Sequence, residues 1–284
     1  MEVAQKTYIC CFGKICNMRE TIIRTISGLL YVSILVVSIL SSELIFISLF
    51  FLLGFVCLLE LEKLLRLKSY ALYGVHAIFF ALFSYWKFSA NATLALLCIT
   101  IFVNMFLVKD LLFIRKIPVF EKKKYIILIF YLISSIVFLT LIPTYNGIFN
   151  PILIVGVFLL IWINDTFAFI VGKNFGKNKL YEKISPNKTI EGFLGGVIFG
   201  ILGGFFIYQF TNYRDFPFWL GMAIIISIFG TLGDLIQSKF KRQAGVKDSG
   251  KLMPGHGGLY DRLDSIIFSS PFIYAYLLIV DYVS

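Results

Sequence analysis

The sequence predicts an all-α, polytopic integral membrane protein of about nine transmembrane helices, with its N-terminus in the cytoplasm and its C-terminus outside. Three observations carry this. The 284 residues are 59% hydrophobic and 15% charged, with a mean hydropathy of +0.88. Soluble domains are nearer half apolar and about a quarter charged, so too little polar sequence exists here to cover a water-facing surface. Apolar runs near the roughly 18 to 20 residues that cross a bilayer recur along the chain. Of the 26 Lys and Arg residues, all but Lys87 and Arg214 fall on the N-terminal segment up to Arg24 or on alternate segments between spans, the asymmetry that fixes cytoplasmic loops.

The elements follow in order. Residues 1–21 form an N-terminal tail without the apolar core of a cleavable signal peptide. Met18-Arg19-Glu20 looks like a start just before the first apolar run, so residues 1–17 are expected to be a non-native extension. The apolar runs place spans at 22–40, 44–62, 70–88, 91–108, 125–142, 149–172, 190–210, 217–237 and 264–282. Glu60 and Glu62 trail the second span, and Asn164 and Asp165 interrupt the sixth. Residues 22–145 are read as N-terminal transmembrane helices and 146–284 as a C-terminal transmembrane catalytic region. The five cysteines show no paired spacing and only two histidines exist, which argues against a zinc site. The net charge of +10 lies on the cytoplasmic loops. Topology and anionic headgroups account for part of it, and nothing in it requires nucleic acid.

Two cytoplasmic loops carry more than topology asks for. In "WINDTFAFIVGKNFGKNKLYEKISPNKTIEGFLGG", residues 162–196, Asp165 lies deep in an apolar run. An ionisable group there usually marks a site or pathway; the plain alternative is an Asp satisfied by Asn164, Thr166 or backbone. Ser185 before Pro186 has the form of an N-cap with Pro at the first helical position, and such a start points N–H groups toward any phosphate nearby. An ordinary cap would look the same. Gly195 and Gly196 permit close helix packing.

The second loop runs from Gly233 to Ser265. On a helix, Asp234, Ser238, Lys241 and Arg242 lie near one face. Asp261 and Asp264 share a face if the last span starts near Leu259, with Arg262 pointing elsewhere. Carboxylates beside bases suit a divalent metal with phosphates, since Mg²⁺ takes a few carboxylate oxygens together with water and phosphate and Lys and Arg neutralise the remainder. The alternative is a set of solvated ion pairs. Gly245-x₄-Gly250-Lys251 imitates a nucleotide loop but fails: Leu252 replaces the required hydroxyl, and an apolar span rather than a strand precedes it. Gly255, Gly257 and Gly258 allow tight turns and close backbone approach. His256 among them either donates to a phosphate or serves the turn.

Ser238-x-x-Lys241-Arg242-x₄-Lys247-Asp248-x₅-Pro254-Gly255-His256-Gly257-Gly258-x-x-Asp261-Arg262-x-Asp264 resembles the signature of phosphatidate cytidylyltransferases. The 162–196 stretch is similar to that family's second block, and the likeness is strong from about residue 150 on. Gln237 and Met253 depart from the usual pattern. The resemblance implies transfer of CMP from CTP to phosphatidate, giving CDP-diacylglycerol and pyrophosphate, at the cytoplasmic face of a bacterial inner membrane. It implies that Asp234 and Asp261 hold a divalent metal, Mg²⁺ or Mn²⁺, with Asp264 and Asp248 as further ligand candidates. It also implies that Lys241, Arg242, Lys247 and Arg262 bind phosphates and that Ser238 contacts phosphate or metal. Asp165, Lys188 and Glu191 would complete the wall. Expected partners are CTP, phosphatidate, membrane lipids and a second copy of the chain in a homodimer. A CTP-dependent kinase of a polyprenol or similar lipid alcohol is the enzymatic alternative. A transporter is the non-enzymatic one, disfavoured because the polar residues cluster at one face and no repeat is visible.

Overall fold

The computed structural model describes residues 2–114, 116–255 and 257–283, with side chains from Ile22 on. The chain is an all-α polytopic membrane protein. Its helices are α1 (Glu2–Ser41), α2 (Glu43–Leu65), α3 (Tyr70–Tyr85), α4 (Ala90–Phe113), α5 (Glu121–Thr144), α6 (Pro151–Phe175), α7 (Ile190–Thr211), α8 (Phe216–Ala244) and α9 (Tyr260–Val283). Among the described residues, eight of these are long and apolar enough to cross a membrane, and α3 is shorter. Its end, Phe80–Tyr85, is a π-helical turn. Lys87, expected inside the third span, has left the helix with φ of 49° and pairs with Glu43 at 2.8 Å. The expected tail precedes the described side chains, and His256 lies outside the described residues.

Local sequence sets the helix ends. The Ser42 hydroxyl accepts the N–H of Ile45 at 3.3 Å to start α2. Asn150 accepts from Leu153 at 3.2 Å to start α6, with Pro151 at the first helical position. Asp215 accepts from Phe218 at 3.2 Å to start α8. These are side-chain N-caps, each satisfying an otherwise orphaned donor. Gly245, at φ of 77°, ends α8 in a left-handed cap. The first glycine of the false nucleotide loop is thus a helix stop.

The centre of the bundle is α5, buried along almost all of its apolar length, packed against α9. Tyr131 of α5 and Tyr260 of α9 join hydroxyls there at 2.6 Å. Leu29 and Leu40 of α1, Phe102 of α4 and Phe206 of α7 are exposed, as lipid-facing residues are. Between α6 and α7, a Cβ on Gly195 would lie 2.6 Å from Val171 Cγ2, and one on Gly196 2.7 Å from Asn164 Oδ1. Small residues therefore set this contact, as expected of Gly195 and Gly196.

The two ends of the bundle differ in charge. At one end Ser27 Oγ donates to Pro254 O at 3.1 Å, which places the start of the apolar part of α1 against the 245–259 loop. At the other, Arg214 donates to Asp281 Oδ1 at 2.5 Å and also to the Tyr145 hydroxyl. Lys87 and Arg214, the two bases that fell outside the predicted loops, are both matched to acids at that second end.

The expected helix start at Ser185 is corrected. Ser185–Thr189 is a strand, β2, paired antiparallel with β1 (Lys179–Tyr181) in register Lys179↔Thr189 and Tyr181↔Ser185. Pro186 is tolerated because each strand of a two-stranded ribbon is an edge. The cap moves to Thr189, whose Oγ1 accepts from Gly192 N at 3.1 Å.

Candidate active site

The loop-bearing end of the bundle holds a cavity of about 830 Å³. Four regions of the chain build its wall: the end of α6, the β1–β2 hairpin with the start of α7, the last turns of α8, and the loop leading into α9. Asp165, Asp234, Asp248, Asp261 and Asp264 supply five carboxylates, and Lys173, Lys179, Lys188, Lys241 and Arg262 five cations. The two polar loops singled out in the sequence therefore face one space.

Asp234 sits on α8, where Ser238, one helical turn on, donates Oγ to its Oδ1 at 3.2 Å. The hairpin carries Lys188 across to form an ion pair with Asp234 Oδ2. Three residues beyond Ser238, Lys241 reaches Asp261 Oδ1 at 2.8 Å. This second pair is well buried, with side-chain exposures of 12% and 8%. Asp261 Oδ2 accepts the backbone N–H of Ser249 at 2.8 Å and of Gly258 at 3.0 Å. Thus Asp261 fastens the loop to the start of α9, and Lys241 fastens α8 to both.

Asp165 and Asp264 are held by uncharged neighbours. Asn164 Nδ2 lies 3.4 Å from Asp165 Oδ1, and Asp264 Oδ1 accepts the N–H of Ser265 at 2.7 Å. Asp264 reaches the cavity because α8 and α9 touch through glycine: a Cβ on Gly233 would stand 2.6 Å from Phe268 Cβ and 2.8 Å from Asp264 O.

A second hollow of about 440 Å³ adjoins the first, sharing Asp248 and Arg262 with it. Lys247, Lys251 and Arg24 line it, together with the turn in which Met253 N donates to Gly257 O at 3.0 Å. Lys247 thus belongs to this second hollow. Arg262, expected to point elsewhere, lines both spaces.

Two sequence candidates have other contacts. Arg242 is exposed and donates Nη1 to Val246 O at 3.2 Å, bracing the end of α8. Glu191 is half-buried and accepts from the N–H groups of Lys177 and Asn178 at 3.1 Å and from Asn178 Nδ2 at 2.8 Å. It shapes the hairpin from outside the cavity lining. Gln237, where the usual pattern would place an acid, is buried and donates Nε2 to Tyr260 O at 2.8 Å.

Three features were not anticipated. Lys239, counted as an ordinary loop base, is buried and donates Nζ to the carbonyls of Asp110 (2.7 Å), Leu111 (3.1 Å) and Ile114 (2.5 Å), capping α4. Arg24 reaches the second hollow from the first span. Glu60, only 5% exposed, accepts from Ser249, Leu259 and Tyr260. The cost of burying an acid in a span, which singled out Asp165, applied equally to Glu60.

Among the described residues, no three Asp, Glu, His or Cys side chains converge into a ready-made ion cage. The all-oxygen donors of Asp234, Asp261 and Asp264 on one cavity still fit Mg²⁺ or Mn²⁺. Such ions take one or two carboxylates and complete their shell with water and substrate phosphate.

The sequence pattern of the cytidylyltransferase family matches residues 22–280. Phosphatidate cytidylyltransferases of Staphylococcus aureus (strain COL) and Staphylococcus haemolyticus are 48% and 50% identical to this chain over 118 residues, 41% of the chain and 45% of each relative. That of Staphylococcus epidermidis is 49% identical over 117 residues, 41% of the chain and 45% of the relative. The matched stretch spans about half the length of these curated relatives.

Proposed function

The chain belongs to the cytidylyltransferase family, and we propose that it transfers CMP from CTP to phosphatidate, releasing pyrophosphate and leaving CDP-diacylglycerol in the membrane. The observation that carries the reading is a single cavity joining Asp234, Lys241, Asp261 and Asp264 with Asp165 of α6 and Lys188 of the β1–β2 hairpin. The names of the staphylococcal relatives support the same substrates.

One oxygen of the lipid phosphate forms a bond to the α-phosphorus of CTP. The bond from that phosphorus to the oxygen bridging toward the β-phosphorus breaks, and pyrophosphate leaves with its electron pair. The attacking oxygen is already anionic, so no strong base is needed. The difficulty is bringing two polyanions together, and catalysis is then positioning and charge stabilisation. Lys188 and Lys241 offer ammonium groups to phosphate oxygens, and Arg262 closes the wall on the loop side. Two of the wall's cations are already occupied by its own carboxylates, Lys188 by Asp234 and Lys241 by Asp261, so side chains alone leave much of the substrates' charge uncompensated. A divalent metal held by Asp234 and Asp261, with Asp264 and Asp248 beside them, would supply that compensation. Asp165, on α6, adds a further carboxylate to the same wall.

The loop-bearing end faces the cytoplasm of a bacterial inner membrane in this reading. Its support is the bias of Lys and Arg toward that end and the need for CTP to reach the site. Membranes containing the overproduced chain test it with CTP labelled at the α- or the γ-phosphorus. Label from the α-position should enter extractable lipid only when phosphatidate and Mg²⁺ are added. Entry of the γ-label would mean a lipid kinase instead, and entry of neither would refute both.

A further inference from the structure

Glu60 lies far in sequence from every residue of the cavity, yet it grips the loop that carries them. Its Oε2 accepts the Ser249 hydroxyl at 2.7 Å and the N–H of Tyr260 at 3.0 Å, and its Oε1 accepts the N–H of Leu259 at 3.1 Å. The first N–H groups of a helix have no partner within it. At the entry to α9 Glu60 takes the first of these donors, Tyr260 N, together with Leu259 N just before the helix, and Asp261 takes Gly258 N. Ser249 is held by both, its N–H on Asp261 and its hydroxyl on Glu60.

The glycines of the loop fit this grip. A Cβ on Gly250 would lie 2.8 Å from the carboxyl carbon of Glu60. One on Gly258 would overlap the Ser249 hydroxyl and the Glu60 carboxylate, and would stand 2.6 Å from Gly250 N. Contacts this short admit no side chain, so two of the loop's glycines answer to Glu60 whether or not a phosphate also approaches them.

From this we infer that Glu60 is a positioning residue for the reaction: reaching from α2, it caps α9 and, through Ser249 and residues 258–260, fixes where Asp261 presents its carboxylate to the cavity. The inference rests on the proposed cytidylyl transfer only for its catalytic consequence; the capping role is separable.

The test uses the full chain in nanodiscs with Glu60→Gln and Glu60→Asp variants. Glutamine keeps the size but sets an amide N–H against a backbone N–H. Amide exchange in residues 249–261 should accelerate roughly tenfold to a hundredfold in Glu60→Gln, with α5 unchanged. Turnover per folded molecule should fall about a hundredfold, the scale of an ångström-sized misplacement, with KM for CTP moving less than kcat. The Mg²⁺ concentration for half-maximal rate should rise, and Glu60→Asp should recover part of the rate. Unchanged exchange in 249–261 overturns the capping role. Accelerated exchange with wild-type turnover overturns the positioning role. If the wild-type chain transfers no CMP, the reading of function has failed, while the exchange comparison still decides the cap.

Discussion

The Lys241–Asp261 pair admits a quantitative test. The ammonium nitrogen is 2.8 Å from the carboxylate oxygen, and both side chains are nearly buried at 12% and 8% exposure. At an effective dielectric constant of about 20, the Coulomb attraction at that distance is roughly 6 kcal/mol before desolvation. Breaking a buried pair by removing one partner typically costs about 3–5 kcal/mol. Lys241→Met should cost less, about 2–3 kcal/mol, because Asp261 keeps the N–H groups of Ser249 and Gly258 at 2.8 and 3.0 Å. Asp261→Asn leaves the ammonium facing an amide oxygen or nitrogen and should cost a similar amount. The double variant should be more stable than the sum of the two losses implies, with a coupling energy of about 1.5–3 kcal/mol. Denaturant unfolding of the four proteins in detergent, followed by tryptophan fluorescence, measures the cycle. Turnover should fall in all three variants, since each alters the cavity wall. A coupling energy under about 0.5 kcal/mol, the value of a solvated surface pair, would refute the claim that this pair is a buried fastening between α8 and α9.

Three further outcomes follow from the same geometry. Gly196→Ala should destabilise the α6–α7 contact by about 1–3 kcal/mol and lower turnover, because the added carbon would sit 2.7 Å from Asn164 Oδ1 beside Asp165; wild-type unfolding and rate would count against this packing. Arg242→Ala should retain activity within about fivefold, far above Lys241→Ala, because Arg242 braces Val246 O from an exposed position and such a helix-end interaction is worth only about 0.3–1 kcal/mol; equal losses in a side-by-side assay would return Arg242 to the phosphate site. Chelation of divalent ions should abolish CMP transfer, and Mg²⁺ or Mn²⁺ should restore it. Zn²⁺ should restore it poorly, because the wall offers carboxylates without thiolate or imidazole among the described residues. Turnover in excess chelator would remove the metal from the proposal.

The span layout was legible because hydropathy and the Lys/Arg asymmetry report one physical fact, the cost of charge in lipid, from two sides. The site acids were legible for the same reason: Asp165 and Asp234 sit in helices where an acid is expensive, and both line the cavity. Tertiary partnership was not legible. Ser185-Pro186 has the local form of a helix start, but pairing with Lys179–Tyr181 draws it into a hairpin and passes the cap to Thr189. Arg242 and Lys241 are adjacent in sequence, and the geometry of the α8 terminus sends one outward and the other to Asp261. Arg262, set off the Asp261–Asp264 face by helix spacing but placed on phosphate by the family resemblance, lines both hollows. Glu60 carried the same cost signal as Asp165, but its partners are nearly 200 residues further along, and no local pattern names them.

The arrangement of pairs bears on how one cavity can serve both a metal and phosphates. A wall of lone carboxylates at a membrane surface would repel phosphate, and a wall of lone lysines would repel a divalent ion. Here Asp234 is matched to Lys188 and Asp261 to Lys241, while Asp165 and Asp264 have uncharged partners. The pairs keep the protein's own electrostatic cost low at the lipid boundary. In the proposed reaction each lysine would turn to a phosphate oxygen, and each carboxylate so released would offer an oxygen to a divalent ion. Such an exchange would let the carboxylates hold the metal while the ammonium groups meet phosphate. That exchange needs the carboxylates to stay in place while their lysines leave. For Asp261 the backbone N–H groups of Ser249 and Gly258 do this, and Glu60 holds the same stretch of backbone from behind. For Asp234 the Ser238 hydroxyl, anchored one turn along the same helix, plays that part. Ser238→Ala should therefore weaken Mg²⁺ affinity more than CTP affinity, measured as the metal concentration for half-maximal rate against KM. A change in KM alone would place Ser238 on the nucleotide rather than behind the carboxylate.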